Sequence, residues 1–284
     1  MGAGMAGNLL EAKHELILYN RTPGKAGTLL QRGAHETSDV AGACRGEVVL
    51  TMLADDHAVE SVVYGERGIL ASLPRGAVHI SSSTISVALS ERLTADHAAS
   101  GQRFIAAPVF GRPNVAAAGH LFVIAAGAPD AIRLATPLFD AIGEKTFVVS
   151  ETPKTANLVK LSGNFLIASV FESLGEALAL VSKAGVDKHQ YLDILTSTLF
   201  GAPVYKNYGA LVADQAFEPA GFAAPLGYKD IRLVLAAADD LRVPLPLASL
   251  LRDRFLTLLA NGGGKLDWSA IGGLAAKDAH LVKN

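Results

Sequence analysis

Six short apolar runs, spaced by amphipathic segments, fill the first 150 residues of this chain and then cease. The runs are ELILYN (15–20), EVVLTML (47–53), GAVHISS (76–82), RFIAAPV (103–109), LFVIAAG (121–127) and KTFVVS (145–150). Helical patterns lie between most of them, over 2–13, 23–32, 55–64, 86–100 and 129–141. Strand-length runs alternating with helix-length spacers predict a parallel sheet with helices on both faces. From Lys154 onward the pattern is helical only, broken at Gly185, Gly201, Pro219 and Pro244. The fold class expected is therefore α/β: a doubly wound sheet domain over 1–151, then an all-helical domain over 152–284. Because a long helix follows Thr152-Pro153 directly, we expect the halves to be joined rigidly, with a cleft between them.

Composition narrows the classes. Half of the 284 residues are hydrophobic and 18% are charged, enough for a large core and too apolar for disorder. The net charge of −2 gives no reason to expect a nucleic-acid partner. Cys44, the single cysteine, rules out an internal disulfide and a cysteine-based zinc site, so no metal is expected. No apolar run approaches the ~20 residues that span a bilayer, so no membrane partner is expected. No basic-then-apolar leader opens the chain, which makes the cytoplasm the expected compartment. The apolar content of the helical half exceeds what a lone helical domain buries, which predicts a homodimer or homotetramer.

Chemistry-bearing residues concentrate in a few places. Lys160 and Asn164, four apart in the longest helical pattern, fall one turn apart on one face, with Asn157 on the same side. A lysine at the edge of an apolar face and flanked by amides can protonate or polarise a carbonyl oxygen; a snorkelling lysine is the simpler alternative. At the chain's start, Gly2 and Gly4 open a helix whose bare N–H groups can face a phosphate. After ELILYN come Asn20, Arg21, Thr22 and Lys25 with no carboxylate. In a dinucleotide-binding sheet that position meets the adenosine ribose, where a guanidinium suits a 2′-phosphate, so NADP is expected over NAD. Ser81 to Thr84 lie before a helix beginning near Ser86, and Ser86 or Thr84 can cap it. In Ala107-Pro108-Val109-Phe110-Gly111-Arg112-Pro113, glycine and two prolines make a rigid loop able to offer N–H groups and one guanidinium to an anion. Gly227-Tyr228-Lys229-Asp230 opens a helix after Pro225, with Lys229 placed against the helix dipole.

Together these segments resemble the β-hydroxyacid dehydrogenases, the group that contains 3-hydroxyisobutyrate dehydrogenase and the glyoxylate and succinic semialdehyde reductases. The likeness spans nearly the whole chain. MGxxMAxNLL and YNRTPGKA match the family's first helix and second strand, with Met1-Gly2 at the close of its GxGxMG fingerprint. Its DxSTIxP loop is matched by Ser83, Thr84 and Ile85, with Ser81 and Val87 in place of Asp and Pro. Its DAPVSGG loop corresponds to residues 106–112, its KxxxN helix motif to Lys160 and Asn164, and its late KD pair to Lys229-Asp230.

The resemblance implies a Rossmann domain, an all-helical domain and hydride transfer between nicotinamide and a small hydroxy acid, semialdehyde or keto acid. By that analogy Lys160 donates the proton, Asn164 holds the substrate and orients Lys160, and Ser83 binds substrate. Leu53 is expected to pack near the nicotinamide ribose, and Lys229 to lie beside the cofactor. Two departures stand out. Phe110 and Arg112 replace the serine and last glycine of the loop that, with Gly111, would grip a carboxylate; Arg112 is expected to hold a carboxylate farther out, or the pocket to admit a larger carbonyl compound. The family's central first strand and its Gly-rich turn do not precede Met1, and we expect the biological protein to begin about ten residues earlier, since losing that strand exposes its neighbours' edges. Two other readings stay open: an imine reductase-like enzyme, which usually lacks the helix lysine, and a catalytically inactive nucleotide-binding protein.

Overall fold

The computed structural model describes residues 1–281, and their contacts divide the chain into two units, Met1–Lys160 and the residues from Leu161 onward. The division falls inside one unbroken helix.

In the first unit, α1 (Gly2–Glu11) buries Met5, Ala6 and Leu9. A Cβ on Gly4 would come within 2.8 Å of the Ala117 backbone nitrogen, so this close helix contact requires glycine. ELILYN contributes only β1 (Ile17–Leu18), which pairs in parallel with an unforeseen short strand, β2 (His35–Glu36), beyond α2 (Gly27–Gln31). These two strands form a sheet of their own. The main sheet follows. After α3 (Val40–Ala43) come β3 (Val48–Thr51), α4 (Asp56–Val63), α5 (Ile69–Ser72), β4 (Val78–Ser81), α6 (Val87–Ala99) and β5 (Arg103–Ala106). The chain continues through β6 (Val109–Phe110), α7 (Pro113–Ala117), β7 (Leu121–Ala126), α8 (Pro129–Ile142) and β8 (Gly143–Ser150). Asp39, Asp55 and Ser86 cap α3, α4 and α6 through their side-chain oxygens.

The sheet is mixed, which corrects the expectation of a parallel one. β3, β4 and β5 are parallel, as are β7 and β8, but β5 and β6 both run antiparallel to β7. Ala106 faces Ala126, Val109 faces Val123 and Phe110 faces Phe122, one continuous register. Pro108 interrupts it: its carbonyl accepts from Ile124 N at 2.9 Å, but proline has no N–H to return. Residues 111–120 leave room only for short α7, less than the dozen or so residues of a parallel crossover, so the chain folds straight back. Alternate strand residues feed opposite faces. Val78, Ile80, Ile105 and Val123 join α1 and α8 in one core; Val49, Phe104 and Ile124 join α4, α5 and α6 in the other.

The second unit is helical: α9 (Lys154–Lys183, shared with the first unit), α10 (Lys188–Thr196), α11 (Pro203–Asp214), α12 (Ala224–Leu241), α13 (Pro246–Ala260) and α14 (Leu274–Asp278), with 3₁₀ turns before α14. Gly185 sits at φ +83, where the chain leaves α9. Phe171, Ile231, Leu251, Phe255 and Trp268 form its main core. By length and composition α9 could cross a bilayer, correcting the expectation that no segment qualifies. Here α9 serves both units as a core helix, burying Ala156 in the first and Ala168, Phe171 and Leu174 in the second.

Candidate active site

The C-terminal edge of the parallel strands gathers several of the expected residues. Thr51 ends β3, and the turn after it is pinned when Leu53 N donates to Ser83 Oγ at 2.8 Å. Ser83 is fully buried, so part of its hydrogen-bonding capacity serves this turn. Gly2, the first residue of α1, lies against Met52 in the same turn. No side chain caps the N-terminus of α1, so its first N–H groups are available to an anion. Nearby, at the end of β4 and just after it, the Ser81 and Ser82 hydroxyls are buried without a protein partner.

The turn after β1 carries Asn20, whose Nδ2 donates to Thr22 O at 2.7 Å, fixing the turn, while Arg21 and Lys25 are exposed. Two exposed cations on a braced turn with no carboxylate suit a phosphate dianion. Uncapped helix donors, a glycine against the β3 turn and this basic turn together fit the phosphates of a dinucleotide.

Lys160 is 8% exposed, and its Nζ lies 4.1 Å from the centroid of the Phe110 ring. Phe110 is fixed by its register opposite Phe122, and Gly111 follows at φ +138, where a Cβ would meet Leu121 Cδ2 at 2.6 Å. Arg112 takes the N-cap position of α7, half-buried and extended. Asn157, three residues before Lys160, is buried with both amide atoms unpartnered.

In the second unit, Asn164 Nδ2 donates to Asp230 Oδ2 at 2.6 Å, and Lys229 Nζ lies 3.2 Å from Asp230 Oδ1. Asp230 is thus the anchor of this group, a role the sequence offered only as half of a KD pair. A further cluster left no signal in the sequence at all. Thr51 Oγ1 meets His79 Nε2 at 3.0 Å, His79 Nδ1 meets His97 Nε2 at 2.9 Å, and His97 Nδ1 meets Gln102 Oε1 at 2.7 Å. Gln102 Nε2 donates to the carbonyls of Leu70 and Leu73, which leaves Oε1 as acceptor and sets every proton in the chain back to Thr51. Burial, and for His79 the neighbouring His97, hold both imidazoles below their ordinary range. Both are therefore neutral, and the relay braces β3 directly before the Leu53 turn. Among the described residues no group of histidine, cysteine and carboxylate side chains could hold a metal ion.

Comparison with known proteins identifies the fold and the family. Residues 1–150 match the model of the NAD binding domain of 6-phosphogluconate dehydrogenase. Residues 155–275 match that of the NAD-binding domain of NADP-dependent 3-hydroxyisobutyrate dehydrogenase. A Bacillus subtilis (strain 168) protein, uncharacterized oxidoreductase YfjR, is 46% identical over 272 residues, 95% of each chain. Glyoxylate/succinic semialdehyde reductase 1 of Arabidopsis thaliana is 30% identical over 274 residues, 95% of this chain and 93% of its own. The crystal structure of a 3-hydroxyisobutyrate dehydrogenase from Salmonella typhimurium superposes with a TM-score of 0.86 at 27% identity, covering 96% of this chain and 95% of that one. With a nicotinamide-binding sheet domain, a helical domain of the matching kind and likeness along nearly its whole length, the chain belongs to the β-hydroxyacid dehydrogenase family and is an NAD(P)-dependent oxidoreductase.

Proposed function

We propose that the protein is an NADP(H)-preferring reductase of small aldehydes or keto acids, with Lys160 as the group that handles the proton. One observation carries this reading: a lysine 8% exposed, its ammonium against the Phe110 ring, on an unbroken helix that bears Asn164 one turn further on. Keeping an ammonium so enclosed costs desolvation, which a structural lysine at a surface would not incur.

When bound, the nicotinamide supplies the hydride that the carbonyl carbon gains. The carbonyl oxygen takes on negative charge in the same step, and Lys160 Nζ stabilises it and delivers its proton, so aldehyde, hydride and proton become an alcohol. Asn164 positions substrate and lysine. Ser83 holds the Leu53 turn against the ribose and contacts substrate, and Gly2, with the first N–H groups of α1, takes the pyrophosphate. Asn20, Arg21, Thr22 and Lys25 receive the 2′-phosphate, and Lys229 lies beside the cofactor. Gly111 and Arg112 bind the substrate's anionic end. Self-association belongs to this reading, supported by the exposed Leu166, Leu180 and Leu199 of the helical unit; sedimentation or light scattering checks it.

Loss of NADPH absorbance with a panel of semialdehydes, keto acids and cyclic imines tests the assignment. Turnover of a carbonyl compound is expected. Tight NADPH binding with no oxidation by any of them would refute it.

A further inference from the structure

We propose that Phe110 is a specificity-determining residue: it requires the group bonded directly to the reacting carbonyl carbon to be alkyl or aryl, any carboxylate being set farther out. The inference rests on Lys160 being the residue that meets the carbonyl oxygen.

Phe110 is not a loose side chain. Its backbone is held in the β6–β7 ladder, with Val109 opposite Val123 and Phe110 opposite Phe122, and Ile124 N bonded to Pro108 O at 2.9 Å. Gly111 behind it occupies a conformation closed to other residues, and the ring packs on the core beneath α4 to α6. The ring face therefore stands fixed at 4.1 Å from Lys160 Nζ, well inside the ~6 Å range of attraction between an ammonium and an aromatic face.

The geometry has a consequence for substrate. An ammonium carries three N–H donors, and the ring occupies one side of it without accepting a conventional hydrogen bond. A carbonyl oxygen bonded to Nζ sits about 2.8 Å away and its carbon only about 1.2 Å beyond. The carbon's substituent on that side then reaches the ring. A carboxylate there would lose water and face hydrocarbon that offers no donor in return, whereas an alkyl or aryl group would bury apolar surface. Phe110 thus favours the lysine's charge while excluding a second charge next to it.

Isosteric pairs test this directly. Glyoxylate and isobutyraldehyde differ by carboxylate against isopropyl on the reacting carbon; succinic semialdehyde and 4-methylpentanal differ likewise, but two methylenes away. With NADPH saturating and kcat/KM expressed on the free aldehyde, the wild type should prefer isobutyraldehyde to glyoxylate by about tenfold or more. Phe110→Ser should move that ratio toward glyoxylate by about tenfold while changing the remote pair's ratio no more than about threefold, and Phe110→Leu should keep the wild-type order. A wild type that prefers glyoxylate overturns the proposal without any variant, and so do equal ratios in wild type and Phe110→Ser, or equal shifts in both pairs. Turnover of none of the four aldehydes would bring down the reductase reading as well, which separates the two failures.

Discussion

The amide of Asn164 is turned by Asp230: Nδ2 donates to the buried carboxylate at 2.6 Å, so the acceptor end of the amide points the other way. Asp230 is itself held at 3.2 Å from the Lys229 ammonium. Three residues that the sequence places 66 positions apart at the extremes thus form one charged group in the helical unit, and its orientation decides what Asn164 can offer a ligand.

Asp230→Ala removes the anion on which both partners depend. Breaking a buried, hydrogen-bonded charge group costs about 3 kcal/mol, so the urea midpoint should fall accordingly. Asn164→Leu, which leaves the Asp230–Lys229 pair in place, should cost less.

Lys160→Met keeps the apolar stem and removes the proton. Turnover should drop by about 10²–10⁴-fold while the NADPH dissociation constant stays within about twofold, measured by nicotinamide fluorescence. Loss of cofactor binding in parallel with turnover would assign Lys160 to the cofactor instead.

Arg21→Glu should reverse the charge met by a 2′-phosphate. The preference for NADPH over NADH, as a ratio of kcat/KM values, should fall by about tenfold or more. An unchanged ratio would move the cofactor choice elsewhere.

The His79–His97 relay predicts acid sensitivity. Both imidazoles are held neutral in the fold with lowered values, whereas unfolded histidine takes up a proton near its ordinary value of 6.5. Stability from this source is complete above that value and declines as pH falls below it, because the unfolded chain binds protons more readily than the fold. Denaturant titrations from pH 8 to pH 5 should show the decline, and His79→Leu with His97→Leu should flatten it.

Glu172 works in the opposite direction. Burial, opposed by Arg254 at 2.6 Å, raises its carboxyl to about 7 from an ordinary 4.5. Its ionisation penalises the fold fully above about 7, and the penalty is relieved as pH falls toward 4.5. Glu172→Gln should therefore raise the melting temperature at pH 8 and steepen the acid decline caused by the histidines.

Where periodicity reports burial, the sequence carried the architecture unaided. Strand-helix alternation up to Ser150 and purely helical patterning after Lys154 follow from which side chains must leave water, a local property of letters and spacing. The same locality placed Lys160, Asn164 and Asn157 on one helix face and the cap Ser86 at a helix start. What the letters could not reveal depends on pairings across the chain. The antiparallel return of β5 and β6 on β7 arose because residues 111–120 are too few for a crossover, and β1 shrank to two residues because its bonded partner is only β2. Nothing local in ELILYN or RFIAAPV reports those partners. The Phe110 ring on Lys160, Asp230 beneath Asn164 and the buried histidine relay are likewise contacts of 50, 66 and 18 positions' separation. Such contacts exist only once the backbone is folded, since a side chain's charge, tautomer and orientation answer to whatever the tertiary structure sets against it.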